Sequence, residues 1–200
     1  MNVNISEQKY KMIKEHHTKT LKKAIFEKKV DEILIPFLLE VVKIPFIFTS
    51  SSCAGRIMLL STNEYESKKI SSFHKKFHRV VTFDEIKSSI YDNSEKDLWL
   101  KVEPFIFHFG TKDFEFAKKI LSFSQEFGLK KAGIISAKDG KFTLEVTSTQ
   151  FMALPLKVDN KILIDDDYLK LIIDRANTKI KINFERLKKF ESSFLLSFSN

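Results

Sequence analysis

The sequence predicts an α+β domain, a mixed and largely antiparallel sheet flanked by helices, with long helices near both termini. Three observations predict it. Apolar residues recur at spacings of three and four near both ends of the chain. Short β-rich runs, broken by glycine and proline, fill the middle. Strands and helices do not alternate regularly, which disfavours a doubly wound, Rossmann-type arrangement. The 200 residues, 43% of them hydrophobic, suit a single domain over positions 1–200.

From Ser6 to about Lys29, Tyr10, Ile13, His17, Leu21, Ala24 and Ile25 share one helical stripe, with lysines on the other face. Asp31 is placed to cap a second helix burying Leu34, Phe37, Leu38 and Val41, in which Pro36 removes a backbone bond and predicts a restart. After Lys43 the pattern turns β-rich: "IPFIFTSS" reads as one strand, Gly55 breaks it, and "RIMLLST" reads as the next. Phe73, Phe77 and Val81 favour a strand ending at Thr82, where Thr82 and Glu85 form a capping box for a short helix with Ile86 and Ile90 inward.

"LWLKVEPFIFHFGT" is strand-like with a break at Glu103-Pro104. Thr111 to Phe127 reads as a helix with Phe114, Ala117, Ile120, Leu121 and Phe127 inward and Gly128 as its stop. Asp139-Gly140 marks a hairpin turn, and Asp159-Asn160 a second. Asp167 opens a long helix with Leu169, Ile172, Ala176, Ile180, Leu187 and Phe194 on its buried stripe.

No run approaches the ~18 apolar residues of a membrane span, and the N-terminus lacks a signal-peptide core, so the expectation is a cytoplasmic protein with no membrane partner. The lone cysteine excludes an internal disulfide. A net charge of +8 favours a polyanionic partner, nucleic acid first. Only five glycines are present, and neither a dinucleotide fingerprint nor a phosphate-cradling loop can be written from them. His74 and His78 lie ~13 Å apart if both are on a strand, so no metal is expected there. The 20 phenylalanines read chiefly as core.

The stretch "TSSSCAGR" concentrates the chemistry. Thr49, Ser50, Ser51 and Ser52 supply donors and acceptors, Gly55 permits close approach, and Arg56 suits a carboxylate or phosphate. That set reads as an anionic-ligand pocket. Cys53 is a candidate nucleophile beside its plainer reading as a small filler, with His78 or His108 as the base. His108 is the polar member of an otherwise apolar strand, and Trp99, the only tryptophan, offers a flat face to a base or packs in the core.

With its surroundings, Thr49 to Arg56 resembles the S-x-S-S-C-x-G-R signature of the tRNA wybutosine-synthesizing protein 3 family, including its archaeal members. "KKVDEILIPFL", "KKFHRVV", "LWLKVEPFIFHFG", "KKILSFSQEFGLKKAGI" and "STQFMALPL" resemble the family in the same order, from about Lys19 to Phe190. Ser51, Ser52, Cys53, Gly55 and Arg56 match the signature, and Thr49 replaces its first serine. His78 falls where the family reads Trp-His, with Phe77 in place of the tryptophan, and His108 matches its histidine after Pro-Phe.

The resemblance implies methyl transfer from S-adenosylmethionine to a ring nitrogen of the tricyclic guanosine derivative at position 37 of phenylalanine tRNA, in its anticodon loop. On the chemistry of the residues, Thr49, Ser51, Ser52, Gly55, Arg56 and Trp99 are expected as binding residues and His108, His78 and Cys53 as catalytic ones, Cys53 first as a pocket residue and second as a nucleophile. On composition alone a non-catalytic, basic RNA-binding module stands as the alternative.

Overall fold

The computed structural model describes residues 7–63, 69–91, 97–138 and 141–199. Helix α1 (Glu7–Phe26) buries Tyr10 and Leu21, members of the stripe read from the sequence. Asp31 precedes a single 3-10 turn (Glu32–Leu34), and α2 (Ile35–Val41) then starts with Pro36 in its first turn. Pro36 sits where its missing N–H costs nothing, so the restart follows from its chemistry. Asp31 makes no side-chain cap bond, against the expectation, because its carboxylate is engaged elsewhere.

Nine strands form two antiparallel sheets among the described residues. Strands β1 (Phe48–Cys53), β5 (Ile106–Thr111), β6 (Gly133–Lys138) and β7 (Lys141–Thr147) make a four-stranded sheet in the order β1-β5-β7-β6. Strands β2 (Arg56–Thr62), β3 (Ser72–Phe77), β4 (Asp97–Glu103), β8 (Met152–Val158) and β9 (Lys161–Ile162) make a five-stranded sheet, β3-β2-β4-β8-β9. The breaks read at Gly55 and at Glu103-Pro104 are the places where the chain leaves one sheet for the other.

The chain divides into two compact units. The first comprises Met1–Ala54, Phe105–Thr149 and Arg186–Asn200; the second comprises Gly55–Pro104 and Gln150–Glu185. Helix α5 (Asp166–Phe198) gives its first part to the second unit and its last to the first.

The first unit is packed with phenylalanine. Phe37 of α2 meets Phe107 and Phe109 edge-on, at 5.1 and 6.5 Å between centroids, and Phe109 stacks on Phe194 at 4.8 Å. These rings are almost wholly buried, where each contributes a large apolar area and edge-to-face pairs add about 0.5–1.5 kcal/mol. A Cβ on Gly110 would land on the Phe48 ring opposite it, so glycine is what lets that ring lie across β5.

Helix α4 (Phe114–Glu126) begins later than the sequence suggested. Thr111 ends β5, and Asp113 caps the helix through the Phe116 N–H at 2.6 Å. Phe114 is exposed rather than inward, because it occupies the first turn. The β6–β7 hairpin forms as read, and its Asp139-Gly140 turn lies outside the described residues.

In the second unit, Ile57, Leu59, Leu100 and Val102 point from the sheet onto Ile86 and Ile90 of α3 (Phe83–Ile90) and onto Leu169, Ile172, Ala176 and Ile180 of α5. The Thr82–Glu85 capping box is present in both directions. Arg79 also bonds Glu85, and these bonds hold its carboxyl down at about 2. Asp159 and Asn160 take left-handed φ of 47° and 63°, the turn their residue types favour between β8 and β9.

Strand β3 departs from the reading. It ends at Phe77, well short of Thr82. A bulge between the Lys75 and Phe73 pairings turns Phe73 out to 49% exposure, while Phe77 packs against the core.

Candidate active site

The serines of the signature lie within β1, an edge strand of the four-stranded sheet. Its pairing with β5 shifts by one residue between Thr49 and Ser51, a bulge that re-aims the hydroxyls. Thr49 is buried, its Oγ1 3.2 Å from Ser52 Oγ. Ser50 and Ser51 are exposed.

Thr49, Ser50, Ser51 and Ser52 line a cavity of about 220 Å³. Its other walls are His17, Thr20, Leu21 and Ala24 of α1, Lys29 and Val30 after it, and Leu38 of α2. His17 stacks on Phe48 at 4.4 Å between centroids. Burial, then the positive charges of Lys141 and His16, lower its pKa and favour the neutral imidazole. The ammonium of Lys29 lies 2.7 Å from Glu27. Lys14 donates to the carbonyl oxygens of Ile44 and Ile47, fixing α1 against the turn that leads into β1; burial lowers its pKa to about 8.

Ser51 stands directly opposite His108 on β5, which stands opposite Glu145 on β7. Directly paired residues share a face, so hydroxyl, imidazole and carboxylate form one row across three strands. His108 Nε2 is 2.9 Å from Glu145 Oε2, and both side chains are partly exposed. A carboxylate accepts, so Nε2 carries the proton and Nδ1 is left as the basic atom. Cys53, opposite Ile106, lies two residues further along β1 on the same face. Its Sγ lies within 4.8 Å of the Asp31 carboxylate.

That carboxylate accepts from the Ala54 N–H at 2.7 Å, pinning the end of the signature. Asp31, Lys29, His17 and Glu145 join the site without having been read from sequence. Asp31 carried only a capping signal and His17 only a place on the apolar stripe of α1; Lys29 and Glu145 carried none.

The remaining candidates lie in the second unit. Gly55 is buried with φ 91°, a conformation that favours glycine. Arg56 has found a carboxylate within the chain: Nη2 lies 2.7 Å and Nε 2.9 Å from Glu103 Oε2, and the two residues pair across β2 and β4. Trp99 is half-buried on β4, four residues from Glu103. His78 is exposed, in the bend after β3.

The family described as Methyltransferase TYW3 matches residues 7–195. A relative from Pyrococcus abyssi, named tRNA(Phe) 7-((3-amino-3-carboxypropyl)-4-demethylwyosine(37)-N(4))-methyltransferase 1, is 33% identical over 86% of this chain and 89% of its own. A relative of the same activity name from Methanocaldococcus jannaschii is 32% identical over 80% of this chain and 84% of its own. The solved structure of the PH1069 protein from Pyrococcus horikoshii superposes with a TM-score of 0.88 at 30% identity, covering 94% of this chain and 96% of that one. A structure from Aeropyrum pernix gives 0.70 at 28% identity, covering 82% and 96%. The signature, the two-sheet fold that carries it and these likenesses lead to one conclusion: the chain belongs to the methyltransferase TYW3 family.

Proposed function

We propose that this protein transfers a methyl group from S-adenosylmethionine to ring nitrogen N4 of the wyosine-type guanosine at position 37 of tRNA(Phe), the activity for which its relatives are named. The observation that carries the reading is the cavity: Thr49 to Ser52 of the family signature form one wall of a mixed polar and apolar pocket, with α1 as another. When bound, the donor supplies an electrophilic methyl on a sulfonium.

The donor set suits that molecule. Hydroxyls of Thr49, Ser51 and Ser52 with the Lys29 cation match its carboxylate and ribose, while Leu21, Ala24, Val30 and Leu38 offer apolar walls to its adenine. Holding donor and acceptor in line contributes on the order of 7 to 11 kcal/mol to such a displacement. Methylating a ring nitrogen adds positive charge to the base, and a proton must leave for a neutral product. His108, oriented by Glu145 through Nε2, presents Nδ1 to take it. Cys53, beside the cavity rather than among its walls, has no covalent part, since a direct displacement needs no covalent enzyme intermediate. The charge of +8 suits the tRNA backbone.

Calorimetry with S-adenosylmethionine tests this reading. The wild type binds the donor at one saturable site, and Lys29→Ala, which removes a charge-assisted contact, weakens it about tenfold or more. A wild type that takes up no donor is instead a non-catalytic RNA-binding module.

A further inference from the structure

The five-stranded sheet of the second unit turns one face to α3 and α5. Side chains alternate along a strand, so the residues between Ile57 and Leu59, and between Leu100 and Val102, project from the other face. Register arranges that face into rows. Phe73, Leu60 and Trp99 lie opposite one another across β3, β2 and β4, Phe73 exposed and Trp99 half-buried with its Nε1 enclosed, and Lys76, Met58 and Lys101 form the next row, in which Met58 is buried. The rows are spaced by roughly 7 Å, two residues at about 3.4 Å each.

The bulge in β3 is what places Phe73 here. Continued from Lys75 opposite Leu59, an unbroken register would set Phe73 opposite Ser61 and turn it to the core face; the shift sets it opposite Leu60 and outward. Phe73 is 49% exposed, with the Arg56 guanidinium carbon 4.8 Å and Lys76 Nζ 4.6 Å from its ring centroid. Lys101 Nζ lies 5.7 Å from the Trp99 ring. A single exposed aromatic on a surface is ordinary. Two aromatics in one row, each with a cation over its ring, are the combination that stacks unpaired bases and meets their phosphates.

We infer that this face is the surface on which the protein holds single-stranded RNA, with bases on Phe73 and Trp99 and phosphates on Lys76 and Lys101. The inference rests on the proposed function only in taking the RNA to be a tRNA loop. Its chemistry favours unpaired over duplex RNA, because only unpaired bases offer their faces.

The test titrates a labelled, unmodified anticodon stem-loop of tRNA(Phe), and a duplex RNA of equal length, by fluorescence anisotropy. The stem-loop binds more tightly than the duplex, and saturation quenches the emission of Trp99, the only tryptophan. Phe73→Ala weakens binding about tenfold, the loss of one stacked base. Lys76→Ala lowers the slope of log K against log salt by about 0.7. Phe73 is half-exposed on an edge strand, so its removal leaves the thermal midpoint close to wild type.

Wild-type affinity in Phe73→Ala, emission unmoved at saturation, equal binding of the duplex, or no RNA binding by the wild type would each overturn the inference. The two readings fail separately. RNA held as described with no donor bound removes the methyltransferase and leaves the surface. Methyl transfer with an unchanged tRNA KM in Phe73→Ala removes the surface and leaves the enzyme.

Discussion

His108 shows how much of the site depends on contacts distant in sequence. Its partner Glu145 is 37 positions away, and Asp31 reaches Ala54 across 23. The signature itself was legible because its residues are contiguous. Glu145, Asp31, Lys29 and His17 were not, since nothing in the local pattern distinguishes a strand glutamate that bonds His108, or a helix histidine that lines the pocket, from one that faces water.

Residue-level kinetics separate the roles. His108→Gln keeps a hydrogen bond to Glu145 but loses the basic lone pair, and kcat falls by about 10² to 10⁴. Glu145→Gln acts through the imidazole, so kcat falls by a smaller factor while donor Kd stays at the wild-type value. A change in Kd alone would make Glu145 a wall of the pocket and nothing more. Cys53→Ser retains turnover, and loss of activity with donor binding intact would restore the thiol as a nucleophile.

At the scale of elements, α5 was the most legible. All six residues assigned to its buried stripe are buried. The capping box of α3, the restart at Pro36 and both hairpins were also legible, because each is written in a few adjacent residues. The bulge in β3 was not, since an inserted residue changes the register without leaving a mark in the apolar pattern.

Helix α5 also carries a titration. Burial pushes the Glu191 carboxyl from 4.5 up to about 7, and its Oε1 has no hydrogen-bond partner among the described residues. The protonated form is the one the folded state favours. Its contribution is therefore complete below pH 4.5 and is lost as pH rises through about 7. The loss is on the order of 3 kcal/mol at ~1.36 kcal/mol per pKa unit. Urea unfolding at pH 5 and pH 8 reads it: Glu191→Gln closely tracks the wild type at pH 5 and is the more stable protein at pH 8. Equal stability differences at the two pH values would show that Glu191 ionises normally.

At the scale of the whole molecule, the α+β class and antiparallel pairing follow from the strand and turn pattern, and no helix among the described residues is long and apolar enough to cross a membrane. The number of sheets was not legible. Gly55 and Glu103-Pro104 read as breaks within strands, and only long-range pairing assigns β1 and β5 to one sheet and β2 and β4 to another. The signature runs through the first of those breaks: Thr49 to Cys53 belong to the four-stranded sheet and Arg56 to the five-stranded one. The excess of positive charge acts at the same scale: a net +8 favours a polyanionic partner, and contacts of that kind weaken with salt.

The central claim is methyl transfer to a tRNA base, and one measurement bears on it most directly: incubation with methyl-labelled S-adenosylmethionine and tRNA(Phe) carrying the unmethylated tricyclic base, followed by mass spectrometry of the released nucleosides. The expected result is one added methyl per tRNA, on N4 of the nucleoside at position 37. RNA bound by the protein without any methyl incorporation would contradict it.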